Sequence, residues 1–186
     1  MVGDTFSLRA ATHDDVEEIR ALIRASAHGL SAGDYSGAQI EGALAGAFGV
    51  DTQLLKDGSY FVAESRTPGG APALIGCGGW SFRRTLFGGD ARADRDPQPL
   101  DPRVDAAKIR AFFVHPDWAR RGVGAALLER CEQCAQAAGF RRFELMATLP
   151  GVRLYQARGY VPGEMIHWPL PNGLTIQFIP MSKQAA

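Results

Sequence analysis

The chain has 186 residues, of which 20 are basic and 20 acidic, and its formal net charge is zero. Hydrophobic residues make up 46% and charged residues 22%, enough apolar surface to build a core without disulfide or metal staples. This balance excludes a strongly basic, non-specific nucleic-acid binder, and no run of about 18 apolar residues is present to span a membrane.

The segment Met1-Val2-Gly3-Asp4-Thr5 lacks a basic stretch followed by an apolar one, so no signal peptide is legible. Phe6 to Ala10 alternates apolar and polar residues and predicts a short strand. Thr12 reads as an N-cap, with Asp14, Asp15, Glu17 and Glu18 in the first turns of a helix. Val16, Ile19, Leu22 and Ile23 follow at helical spacing, and Gly29 fits a stop. A second helix is expected from Ser36 to Phe48. Tyr60–Glu64 and the glycine-rich Ala73–Phe82 are expected to form a hairpin around the turn Thr67-Pro68-Gly69-Gly70.

Arg84 to Val104, with Gly88-Gly89, three prolines and dense opposite charges, reads as a long loop that is functional or mobile. Ala106–Val114 predicts a buried strand. A helix is then expected from Gly122 to Ala138, capped by Gly139. Phe143–Thr148 reads as a strand and Val152–Ala157 as a short helix. Gly159-Tyr160 opens a further strand, and Leu174–Met181 forms the last. The order predicts one mixed α/β domain over residues 1–186.

The zero charge hides an asymmetry. Residues 1–107 hold 10 basic and 15 acidic side chains, whereas residues 108–158 hold 9 and 4. The basic segment contains the most informative stretch, Val114-His115-Pro116-Asp117-Trp118-Ala119-Arg120-Arg121-Gly122-Val123-Gly124-Ala125. A strand stops at a proline and a helix begins on Arg-Arg-Gly-Val-Gly. A helix N-terminus presents unpaired N–H groups and partial positive charge, and glycines let an anion approach the backbone. The stretch therefore suggests a pyrophosphate site. A dinucleotide fingerprint would need a third glycine, and a Walker A loop would need Gly-Lys-Ser/Thr; both are missing.

The window Ala119-Arg120-Arg121-Gly122-Val123-Gly124 resembles the acetyl-coenzyme A signature Q/R-x-x-G-x-G/A of the GNAT superfamily of N-acetyltransferases, with Ala119 in place of the first Gln or Arg. Leu154-Tyr155-Gln156-Ala157-Arg158-Gly159-Tyr160 is similar to the family's L-Y-x-x-x-G-F/Y. Thr148 stands where an asparagine is common. The resemblance is specific over about residues 109–160. It implies a mixed, mostly antiparallel sheet of six to seven strands, flanked by about four helices, with two central strands splayed apart.

The function implied is transfer of an acetyl group from acetyl-CoA to a primary amine of a small molecule or peptide, by direct attack. A non-catalytic CoA-sensing module is the alternative. The resemblance implies pyrophosphate on the amides of Arg121, Gly122, Val123, Gly124 and Ala125, with Arg120 nearby. Pantetheine would lie along the backbones of Phe113 and Val114, and the Phe112 amide would hold the thioester oxygen. Tyr155 is the implied general acid. Lys108 stands where some members place a glutamate base. Asp105, His115 and Glu144 lie nearby without a matching motif, and a water chain is a further option, so the base stays open.

No metal is expected: Cys131-Glu132-Gln133-Cys134 has no second ligand pair, and all three cysteines read as core thiols. His13, His28 and His167 read as surface or packing residues. Tyr35, Trp80, Phe82 and Trp168 are the aromatics expected around the acceptor, and the acidic first part of the chain favours a cationic amine. The expected setting is cytoplasmic, without nucleic-acid or membrane partners, and a homodimer is the assembly allowed for.

Overall fold

The computed structural model describes residues 5–66 and 70–185; the expected turn at 67–69 lies outside them. Strand β1 (Thr5–Ala10) leads into a turn, His13–Asp15, and helix α1 (Val16–Ser31). The Asp15 carboxylate accepts from both the amide and the hydroxyl of Thr12, at 2.7 and 3.1 Å, and so fixes the entry to α1. Gly29 does not stop this helix. A Cβ there would lie 2.2 Å from Pro116 Cγ, so the glycine permits close contact with the turn after β4.

Helix α2 (Gly37–Leu44) is capped by Ser36, whose hydroxyl accepts from the Gln39 amide, and it ends before Phe48. A short helix α3 (Thr52–Lys56), not anticipated from the sequence, begins at Asp51, which caps it through the Gln53 amide. Strands β2 (Tyr60–Arg66) and β3 (Leu74–Ser81) pair antiparallel, as the hairpin pattern predicts. Then come β4 (Ala107–Val114), helix α4 (Val123–Ala137), β5 (Arg142–Thr148), a turn at Leu149–Gly151 and helix α5 (Val152–Ala157). Strands β6 (Val161–Pro162), β7 (Ile166–Pro169) and β8 (Thr175–Gln184) complete the order.

The eight strands form one sheet in the order β1-β2-β3-β4-β5-β8-β6, with β7 also on β8. All pairs are antiparallel except β4 and β5. This is the mixed sheet expected, with one strand and one helix more than the upper expectations. Residues of α1, α2 and α3 pack on one face, around Ile19, Ile40, Leu54 and Val62. Those of α4 pack on the other, around Leu127, Leu128, Phe143 and Leu145. The glycine-rich character of β3 has a packing cause. A Cβ at Gly76 would lie 2.6 Å from Val123 on α4, and one at Gly78 2.7 Å from the Phe112 ring.

Candidate active site

Two irregularities in β4 open the sheet. Its pairing with β5 covers only Ala107–Ile109 against Phe143–Leu145, after which the strands part. Its register with β3 also shifts: Cys77 faces Phe113 and Gly79 faces Arg110, so Gly78 alone opposes Ala111 and Phe112. That is a β-bulge, which leaves ladder groups unpaired and re-aims the strand. Ala111 carries the strain, with φ of 55°. A buried chain supports it, because the Tyr60 hydroxyl donates to Cys77 Sγ at 3.4 Å and that thiol donates to the Ala111 carbonyl at 3.6 Å. Burial pushes the Cys77 thiol up to about 12, so it stays protonated as a donor.

The splay forms a cavity walled by Phe48 and Gly49, by Phe87–Gly89, by Ile109–Phe113, and by Met146, Thr148, Tyr155 and Phe178. The Tyr155 ring packs edge-on against Phe112, with centroids 6.4 Å apart. Its hydroxyl has no hydrogen-bond partner among the described residues, and burial raises its pKa above the ordinary phenol value. Among the described residues no carboxylate lines this cavity.

At the end of β4 lies the loop to α4. Gly122 caps the helix with φ of 86° and open space where a Cβ would be. Arg120 also has positive φ, 60°. Such left-handed residues turn successive N–H groups to one side, forming an anion-binding concavity. The first intrahelical bond runs from the Ala126 amide to the Gly122 carbonyl, so the amides of Val123, Gly124 and Ala125 have no acceptor within the helix. Arg121 lies over the Trp118 ring at 5.3 Å. The structure thus brings Phe112, Phe113 and Tyr155 to the cavity, and sets the helix start beside the end of β4, where a Cβ at Gly124 would lie 3.6 Å from the Val114 side chain. The Val114 amide donates to Ser26 Oγ in a long bond of 3.3 Å.

Several expectations require correction. Tyr35 is buried away from the cavity, its hydroxyl donating to the Gln177 carbonyl at 2.6 Å and accepting from the Leu149 amide at 2.8 Å. Trp80 packs against both Phe82 and Phe140 on the α4 face. Trp168 does not line this cavity; it meets Phe87 edge-on, with centroids 4.9 Å apart, and lines a neighbouring pocket with Ala47 and Arg92. The cavity aromatics are instead Phe48, Phe87 and Phe178. Among the residues near Lys108, Glu144 is bonded to Lys108 at 2.5 Å and Asp105 accepts from the Asp101 amide. The His115 ring accepts from the Asp117 amide. None of the three lines the cavity. Cys77 and Cys131 are buried free thiols and Cys134 is half-buried, packed against the core.

The 84–104 segment is ordered. Arg84 and Thr85 donate to Gln98 and Asp96, and Leu100 to Phe82, so its two arms run side by side. Its tip is pinned on α3, where the Asp90 carboxylate accepts from the Thr52 amide and Arg95 binds Asp51 at 2.8 Å.

Residues 56–162 match the family model of the acetyltransferase (GNAT) domain. The chain belongs to the GNAT family. The fold agrees with solved GNAT structures. A GCN5-related N-acetyltransferase from Rhodopseudomonas palustris superposes with a TM-score of 0.69 at 23% identity, covering 99% of this chain and 98% of that one. The PaiA N-acetyltransferase of Thermoplasma acidophilum, solved with coenzyme A, gives 0.61 at 15% identity over 97% and 99%. The ribosomal-protein-S18-alanine N-acetyltransferase of Escherichia coli gives 0.58 at 13% over 98% and 95%. No curated protein matches the sequence. Among the described residues no helix is long and apolar enough to cross a membrane, and no cluster of three or more His, Cys, Asp or Glu could hold a metal ion.

Proposed function

We propose that the protein transfers an acetyl group from acetyl-CoA to a primary amine. The observation that carries this reading is the bulged, splayed β4 ending on an acceptor-free helix start, with Tyr155 facing the bulge. The residues fit the co-substrate. The amides of Arg121, Gly122, Val123, Gly124 and Ala125 hold the pyrophosphate, with Arg120 beside it. The open space at Gly122 lets a phosphate sit against the backbone. Phe113 and Val114 offer strand backbone to the pantetheine amides, where an incoming carbonyl replaces Ser26 on the Val114 N–H.

Acetyl-CoA supplies the activated acetyl thioester. The Phe112 amide, in the bulge and fixed by the buried Tyr60–Cys77–Ala111 chain, is placed to stabilise negative charge developing on the thioester oxygen. The Tyr155 phenol, kept protonated by burial, donates to the departing sulfur. Because no carboxylate among the described residues lines the cavity, the amine gives up its proton to solvent. Amine-dependent release of thiol from acetyl-CoA, with mass detection of the acetylated amine, tests the reading. Binding of acetyl-CoA without thiol release on any amine would overturn it.

A further inference from the structure

Arg110 is a guanidinium on the acceptor wall that the chemistry above does not use. It follows Ile109 at the point where β4 and β5 part, two residues before Phe112, and it lines the cavity. Its side chain is 3% exposed. One terminal nitrogen binds the Asp51 carboxylate at 2.6 Å and the Gly88 carbonyl at 2.7 Å. Its Nε–H is buried and has no acceptor, and Asp51 Oδ2 likewise lacks a well-oriented donor. A buried guanidinium left incompletely bonded is a group that a ligand's anion can complete.

The charges around it agree. Arg95 binds Asp51 and Asp90, and Arg92 sits over the Phe87 and Trp168 rings at 4.5 and 4.6 Å while binding Asp94. The acids on the solvent side, Asp90 and Asp94, are 40% and 64% exposed, so water screens them. Inside, two arginines, Arg95 and Arg110, share one wholly buried carboxylate, Asp51. On the same strand Lys108, outside the cavity lining and largely buried, is paired with the more exposed Glu144. Among the described residues that line the cavity Arg110 is the one charged side chain, and it shares its carboxylate with Arg95, so the wall facing the acceptor is positive, the opposite of what the acidic first part of the chain suggested.

We infer that the acceptor is a small amine that carries a carboxylate, as an amino acid does, and that Arg110 is the specificity-determining contact for that carboxylate. The strand rises about 3.3 Å per residue, so the wall position of Arg110 lies within a few bonds of a nucleophile poised at Phe112. The same cations disfavour the ammonium form of the bound amine, which suits a site without a carboxylate base. The inference rests on the acetyl-transfer reading and adds the class of acceptor.

The test offers the full-length protein acetyl-CoA and the twenty common amino acids, each paired with its carboxamide, alongside diamines without a carboxylate. Expected is turnover of at least one amino acid, with kcat/KM for its carboxamide lower by about 100-fold, roughly the discrimination that a charged, buried contact provides. Carboxamides or diamines turned over as well as the acids, or turnover on amines but on no amino acid, overturn the carboxylate contact while acetyl transfer stands. Absence of thiol release with every amine overturns both readings. Replacing Arg110 alone would strand the buried Asp51, so the paired variant Asp51→Asn with Arg110→Gln is used, with its fold checked by thermal melting. The acid-to-carboxamide ratio is expected to collapse toward one, through KM for the acceptor. An unchanged ratio in the folded variant overturns the role of Arg110.

Discussion

Replacing Gly78 with alanine tests the link between sheet packing and catalysis. A Cβ at this position would lie 2.7, 2.8 and 2.9 Å from three atoms of the Phe112 ring, where ordinary contact begins at 3.4 Å. The ring must retreat by about 0.7 Å, the difference between 3.4 and 2.7 Å. It cannot move freely, because it packs against Tyr155 at 6.4 Å between centroids. The retreat is thus shared with the backbone of the bulge and with the proposed acid. Overpacking of this kind costs about 1–3 kcal/mol. For a chain of this length each kcal/mol lowers the melting temperature by roughly 2–4 °C. A misplacement of about an ångström costs up to about 10²-fold in rate, and complete loss of an oxyanion donor costs about 10²–10³-fold. The variant is therefore expected to lose about 10- to 100-fold in kcat, with the KM for acetyl-CoA near that of the parent, since the phosphate amides lie on α4. Steady-state thiol release and a thermal melt measure both effects. A lowered melting temperature with unchanged kcat would refute the placement of the oxyanion donor at Phe112.

Further predictions follow from other residues. Tyr155→Phe removes a hydroxyl without a partner among the described residues, so stability should hold while kcat falls about 10²–10⁴-fold; equal turnover would remove the acid role. Gly122→Ala meets no steric neighbour, yet its φ of 86° costs a side-chain residue about 1–2 kcal/mol. Calorimetric titration should then show CoA binding weakened by roughly tenfold, and unaltered binding would place the phosphates elsewhere. Asp15 is held down to about 2 from 3.8, chiefly by its hydrogen bonds to Arg9. A carboxylate depressed in the folded state stabilises above its unfolded value and loses that contribution as pH falls toward its folded one. Asp15→Asn should therefore cost about 2 kcal/mol near neutral pH, with the difference from the parent fading between about pH 5 and pH 2 in denaturant melts.

The parts legible in sequence were those with local signals. Gly122-Val123-Gly124 and the apolar stripe from Val123 to Ala138 marked α4, and Gly139, with φ of 97°, marked its end. The bulge was not legible, because Ala111-Phe112-Phe113-Val114 reads as an uninterrupted apolar strand. The register shift is set by Gly78 across the sheet and by the Tyr60–Cys77 chain beneath it. Helix α3 is five residues long and holds through Asp51 and Asp90, a partner 38 positions away that no periodicity shows. The cavity aromatics Phe48, Phe87 and Phe178 come from three distant segments, whereas Trp80 and Phe82 drew notice by size and proved to be core. Gly29 was read as a helix stop because contact with Pro116 is a tertiary fact.

Acetyl transfer itself is tested most directly by incubating the protein with acetyl-CoA and amino acids, carboxamides, diamines and peptides with free N-termini, following thiol and product together. The account predicts one thiol released for each amine that gains an acetyl group, strictly dependent on protein and amine. Saturable binding of acetyl-CoA with no thiol released above the background rate, on any of these amines, would contradict it.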